Sequence, residues 1–111
     1  MKIALSSLGR DVNSKLSEVF GRCPYFIFAE IENSKIQTVE AIENISAKQQ
    51  GGAGISAAQM VAENKVDVVI AGTFGPRALD VLKQFNIRVF KGSGLIKEVI
   101  KEYADNKLRE I

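Results

Sequence analysis

Histidine is absent from the 111 residues, and cysteine occurs once, as Cys23. The missing histidine removes the commonest general base and the commonest metal ligand. It also excludes Ser-His-Asp and Cys-His nucleophilic sets. A single cysteine forbids an internal disulfide, and one thiol does not complete a zinc site. No stretch approaches the roughly 20 apolar residues of a membrane span. The opening Ile3-Ala4-Leu5 is too short for the apolar core of a secretory leader, so a soluble protein in a reducing cytoplasm, with no membrane partner, is the expectation. Charge of one sign is scarce as well. Fifteen basic and 13 acidic residues leave a net charge of +2, and the excess is not gathered into a patch. Residues 1–55 carry six of each sign, and residues 56–111 carry nine basic and seven acidic. A nucleic-acid partner needs a concentrated basic surface and is not expected. Acidic pairs are no better placed. Asp67 opens its strand at the rim away from the ligand crevice, and Glu30 and Glu32 alternate with Ile31 as solvent-facing residues do. No catalytic set emerges, so the protein reads as a binding protein rather than an enzyme.

What is present is the composition of an ordinary globular domain, 46% hydrophobic and 25% charged, at a length that fits one domain over residues 1–111. The chain is organised around Asp67-Val68-Val69-Ile70-Ala71-Gly72-Thr73-Phe74-Gly75-Pro76. Three consecutive β-branched residues predict a strand buried on both faces. Gly72 and Gly75 permit a sharp turn, and Pro76 suits the first position of a helix. The carboxyl end of a strand thus meets the amino end of a helix, the rim at which open α/β sheets bind ligands.

Around this centre the pattern predicts a strand over Lys2–Ser6 and a loop over Ser7–Asn13. One or two helical turns follow over Ser14–Phe20, where Leu16, Val19 and Phe20 recur at helical spacing. Strands at Pro24–Ile31 and Ile36–Ile42 flank the polar turn Glu32-Asn33-Ser34-Lys35 as a hairpin. Asn44–Gly52 is a polar loop. Gly51-Gly52-Ala53-Gly54 opens a helix reaching about Asn64. After the central strand, Pro76–Gln84 is a second helix, Ile87–Lys91 a strand, and Leu95, Ile96, Val99, Ile100 and Tyr103 mark the apolar stripe of a third helix. A hairpin followed by alternating helices and strands implies a mixed sheet of five strands with three helices on its faces.

Glycine-bearing turns precede all three helices, at Gly51–Gly54, Gly72–Gly75 and Gly92–Gly94. Each either offers backbone N–H groups to an anion or uses glycine for tight geometry alone. Arg77 is either an anion-binding cation at a helix start or a solvated surface residue. Phe20-Gly21-Arg22-Cys23-Pro24-Tyr25-Phe26 carries the most chemistry. Arg22 beside Cys23 favours the thiolate, the form that binds soft metals, unless Cys23 is a buried structural thiol.

Taken together, Phe20–Phe26, Gly51-Gly52-Ala53-Gly54-Ile55 with Ala57-Ala58, Val68–Gly72 running into Gly75-Pro76-Arg77-Ala78, and Ile87-Arg88-Val89-Phe90 resemble the dinitrogenase iron-molybdenum cofactor biosynthesis domain family. The resemblance spans nearly the whole chain. It implies a ribonuclease H-like fold with a five-stranded sheet of order 3-2-1-4-5 and helices on both faces. It also implies binding of an iron-sulfur or iron-molybdenum-type cluster, or its precursor, during cofactor assembly. Where cluster carriers of that family often have a histidine before Gly-Ala, this chain has Gly51. The first strand has no acidic residue, so nuclease chemistry is not implied.

Three functions follow. The first is a non-catalytic cluster carrier, with Cys23 as metal ligand and cargo contacts from Arg22, Gly51, Gly52, Gly54, Gly72, Thr73, Gly75 and Arg77. It works with a cofactor-assembly partner, as a monomer or weak homodimer. The second is a metal-free module for a small anion or phosphate-bearing ligand, using the same turns. The third is a protein-interaction domain with Ile36–Ile42 as its open edge.

Overall fold

The computed structural model describes all 111 residues. The elements are β1 (Lys2–Ser7), β2 (Tyr25–Glu32), β3 (Lys35–Glu43), α1 (Ala53–Glu63), β4 (Val68–Ala71), α2 (Pro76–Gln84), β5 (Arg88–Lys91), α3 (Ile96–Ala104) and β6 (Arg109–Glu110). They form one mixed sheet of six strands in the order β3-β2-β1-β4-β5-β6. The β1–β4 and β4–β5 pairs are parallel, and the other three pairs are antiparallel. The first five strands stand in the order that the resemblance implies.

Alternation along the strands sorts the core into two layers. Ala4, Phe26, Phe28, Val69, Ala71 and Val89 point to one face, where α1 and α2 cover them with Ala57, Ala58, Val61, Ala78 and Leu82. Ile3, Leu5, Ile27, Ala29, Val68, Ile70 and Phe90 point to the other, beneath Ile96, Val99 and Ile100 of α3. β4 is buried throughout because it has a layer on each side. β3 is exposed along almost its whole length, because no helix reaches the outer edge of the hairpin. A turn with Asn33 and Ser34 at φ 52° and 63° joins β2 to β3, the left-handed pair that fits the twist of a tight hairpin.

Two expectations are corrected. The sheet has six strands, not five. The tail beyond α3, to which the sequence pattern assigned no element, adds β6 antiparallel to β5, with Phe90 opposite Glu110 and Lys91 opposite Arg109. Leu108 packs on the α3-side core, and Arg88 donates from Nε and Nη2 to the two carboxylate oxygens of Glu110 at 2.9 and 2.7 Å. The two-residue strand is therefore held by a side-chain fork and one apolar anchor, which periodicity does not register. The second correction concerns Ser14–Phe20, which is extended, not helical. Its bridges run from Leu16 to Ser7, from Lys15 to Leu95 and from Val19 to Thr73. The cause is visible in its apolar residues. Leu16 is buried in the α3 layer, Phe20 in the α1/α2 layer, and Val19 is exposed. A helix presents i and i+4 on one face, whereas this segment carries them to opposite faces as it crosses the end of the sheet.

Candidate functional site

The crossing segment shapes the carboxyl rim of the sheet. Ser17 N–H donates to Ser6 O at 2.9 Å, and Phe20 N–H donates to Thr73 O at 3.0 Å. In return Gly72 N–H donates to Ser17 O at 3.2 Å, and Thr73 donates to Glu18 O from both its backbone N–H and, at 2.9 Å, its hydroxyl. A Cβ on Gly72 would stand 2.7 Å from Glu18 Cα, so glycine is required there for close approach of two backbones. Gly72 and Thr73 thus hold the crossing segment, and their N–H groups face its carbonyls.

Beside this seam lies a cleft of about 410 Å³ lined by Val19, Phe20 and Arg22, by Gly52–Ile55, and by Gly75–Ala78. It sits where α1 and α2 begin. The first helical bond of α1 is Ser56 N–H to Gly52 O, 2.9 Å, and that of α2 is Leu79 N–H to Gly75 O, 3.0 Å. The N–H groups of Ala53, Gly54, Ile55, Arg77 and Ala78 therefore precede the two ladders. Neither helix has a side-chain cap or an acidic residue in its first turn. Two positive dipole ends are left uncompensated at one place. The helices approach closely because Gly54 lies against Ala78, where a Cβ would come within 3.1 Å of the Ala78 Cβ. The floor is aromatic: Phe20 stacks on Phe74 with ring centres 5.3 Å apart and tilts against Phe26 at 5.4 Å.

Both arginines reach the cleft. Arg22 Nη1 donates to the carbonyls of Ala47 and Gln49 at 3.0 and 2.5 Å. Arg77 is exposed and also lines the cleft. Gly75 has φ −70° and ψ 153°, an ordinary extended conformation, and a Cβ there would meet nothing within 4 Å. Neither backbone geometry nor packing requires a glycine at that position. Gly51 likewise has open space, whereas Gly52 has φ 71°.

The third glycine turn is different. At the start of α3, Ile96 N–H donates to Ser14 O and Lys97 N–H to Val12 O, both at 2.9 Å, and Glu98 lies in the first turn. That helix end is closed by the chain's own carbonyls.

Cys23 does not line the cleft. It is 1% exposed, within the α1/α2 core. Burial pushes its thiol up to about 11, against an ordinary value of 9.0, and outweighs the hydrogen bonds that act the other way, from backbone groups and from Asn44. The expectation that Arg22 favours the thiolate is corrected: the guanidinium is turned to the loop carbonyls, and the thiol is a buried neutral group. No cluster of three or more Cys, Asp or Glu side chains stands ready for a metal ion.

Of the residues singled out from sequence, Arg22, Gly52, Gly54, Gly75 and Arg77 meet in the cleft. Cys23, Gly51, Gly72 and Thr73 lie outside its lining. Sequence reasoning missed Val19, which was assigned to a helix stripe, and Asn44, whose buried amide grips the Arg22 turn. A lone polar residue at a strand end was the only trace of the latter.

Residues 1–106 match the family described as dinitrogenase iron-molybdenum cofactor. The chain belongs to this family. Similar proteins span the same unit. An uncharacterized protein of Methanocaldococcus jannaschii, MJ0580, is 36% identical over 99% of this chain and 95% of its own. The apo form of the orange protein from Desulfovibrio gigas superposes with a TM-score of 0.92 at 26% identity, over 99% of this chain and 92% of that one. The Thermotoga protein TM1290 does so with a TM-score of 0.83 at 30% identity, over 98% and 91%. The family match ends at residue 106, ahead of β6.

Proposed function

We propose that this protein is a non-catalytic binding or carrier protein for an anionic iron-sulfur or iron-molybdenum-type cluster, or its precursor, seated in the cleft between the starts of α1 and α2. The carrying observation is that two uncapped helix N-termini and two arginines converge on one partly apolar cleft. N–H dipoles and guanidinium groups favour negative charge, and the Phe20 floor suits a soft, weakly hydrated body. Gly75 tests the fit. Its missing side chain leaves free the ground that cargo would take beside the α2 N–H groups. The family description ties its members to the iron-molybdenum cofactor. The Desulfovibrio gigas protein, solved as an apo form, is by that word a protein that takes a bound group.

On this reading the cargo is held by charge and hydrogen bonds, not by a protein thiolate. Cys23 is removed from the role of ligand that its neighbour Arg22 suggested. Weak, non-covalent seating suits a carrier, which must release its cargo to a cofactor-assembly partner. The test is anaerobic reconstitution with iron, molybdate and sulfide, followed by metal analysis and visible absorption. Wild type and Cys23→Ser are expected to retain equal metal, and Arg22→Ala/Arg77→Ala to lose it. Loss of metal in Cys23→Ser alone would overturn the non-covalent seating.

The absence of a ready metal-ligand cluster also favours a second reading, a metal-free module for a small anionic or phosphate-bearing ligand in the same cleft. Binding of simple phosphate-bearing ligands by wild type that takes up no metal would select it.

A further inference from the structure

We propose that Asn44 is a positioning residue that, with the loop it anchors, holds Arg22 ready for an anion. This rests on the cleft being the anion site proposed above. Asn44 is 4% exposed, and its Nδ2 donates to the carbonyls of Gly21 and Cys23 at 3.1 and 2.9 Å. Those are the residues on either side of Arg22. Asn44 Oδ1 accepts from Ser46 N–H at 3.1 Å, and its carbonyl accepts from Ala47 N–H at 3.2 Å. The chain is thereby folded back so that Ala47 and Gln49 present their carbonyls to Arg22 Nη1. One side chain thus fixes both the backbone that carries Arg22 and the loop that receives its guanidinium.

The far side of the same turn is fixed too. A Cβ on Gly21 would stand 2.7 Å from Gly54 Cα, so the turn is pressed against the first turn of α1. Only Nη1 is engaged. The Nε and Nη2 donors have no partner within the protein, which leaves the planar edge that grips oxyanions through two parallel bonds. An exposed arginine ordinarily loses rotamer freedom when it captures a ligand. Here the loop has already restricted it, and Arg77, which has no partner, stands as the unrestricted counterpart.

The test is a double-mutant cycle read by calorimetry, with molybdate as the probe anion. Asn44→Ala is expected to weaken binding roughly five- to tenfold in the wild-type background and to add little in an Arg22→Ala background, the coupling expected of residues acting as one unit. Equal losses in both backgrounds would overturn the proposal, because they report a general structural effect. Should Asn44→Ala fail to fold, deletion of exposed Lys48, between the two acceptor residues, displaces the carbonyls instead. Without any ligand, Arg22→Ala is expected to speed amide exchange at residues 46–49, and unchanged exchange there would overturn the clasp. Failure of wild type to bind molybdate at all would overturn the cleft as the anion site, while the exchange result still decides the clasp.

Discussion

The starts of α1 and α2 on one face of the sheet and the start of α3 on the other are built from similar sequence. Each follows a glycine-bearing turn, and none has a side-chain cap. Their surroundings differ. The loop Val12–Ser14 folds over α3 and supplies its first N–H groups with carbonyls, whereas nothing in the chain does so for α1 and α2. A helix end that the protein satisfies itself belongs to the fold. Two ends left unsatisfied at one cleft, with cations beside them, are available to a ligand. The contrast shows that a glycine turn before a helix acquires functional meaning only from what does or does not cover it.

The largest effect should come from disturbing the turn pressed against the start of α1 on the open side. Gly21 has φ 97° and no clearance from Gly54. Gly21→Ala adds left-handed strain to a backbone clash, together about 3 kcal/mol or more of lost stability. Gly94 on the closed side has φ 103° but only Glu98 Oε1 near its Cβ position, at 3.8 Å, so Gly94→Ala should lose only the strain, about 1–2 kcal/mol. Urea denaturation of both variants checks the difference, and equal losses would mean that the Gly21–Gly54 contact yields readily.

That difference also marks how far the sequence was legible. The β-branched run Val68-Val69-Ile70 announced a strand buried on both sides, and the hairpin and all three main helices followed from periodicity and turn residues. The failures came where one segment serves two layers. Leu16 and Phe20 have helical spacing, yet they fill opposite cores. β6 is too short for any period. The candidate site was legible in its glycines and arginines, because residue type alone reports N–H access and charge. Which turns were covered was not, since the closing groups are backbone carbonyls from Val12 and Ser14, to which no side chain gives a clue. The burial of Cys23 was one of two readings the sequence left open, and the packing of the α1/α2 core decides it, with Arg22 exposed beside it.

Cys23 sharpens the comparison from the side of acidity. Its thiol keeps its proton in the native state up to about pH 11, while the unfolded chain releases it near 9.0. Unfolding therefore releases a proton over that interval, and stability should be full below about pH 9 and fall by about 2–3 kcal/mol as pH rises towards 11. Chemical denaturation across that range checks it, with Cys23→Ala expected to flatten the decline. At pH 8 native Cys23 should resist iodoacetamide and react once unfolded. Rapid native alkylation would return the thiol to the list of accessible ligands.

Charge at the open side is the next lever. Arg22→Ala/Arg77→Ala should weaken molybdate binding by roughly 10- to 100-fold, as expected from losing two charge-assisted contacts. Its thermal stability should stay close to wild type, because both side chains are exposed. Lys97→Ala, at the closed start of α3, should leave binding unchanged. Similar losses from Lys97→Ala would show that net charge, rather than the cleft, governs the anion.

The smallest effect separates the two kinds of helix start most cleanly. Gly75 precedes α2 in the extended conformation of a normal N-cap, with open space at its Cβ position. Gly75→Asp places a carboxylate where it can accept from the free N–H groups and oppose the helix dipole. A few tenths to about 1 kcal/mol of added stability is expected. The same carboxylate occupies and repels the anion site, so binding should fall while stability rises. Leu95→Asp, the matching change at α3, should bring no such gain, since Ser14 and Val12 already hold the N–H groups of Ile96 and Lys97. Melting temperature and molybdate affinity measured on the two variants decide the matter. Opposite movement of the two quantities in Gly75→Asp means that the bare start of α2 is kept at the expense of helix stability for a ligand. Parallel movement, or a stability gain at Leu95, means that the two helix starts do not differ in the way their hydrogen bonds indicate.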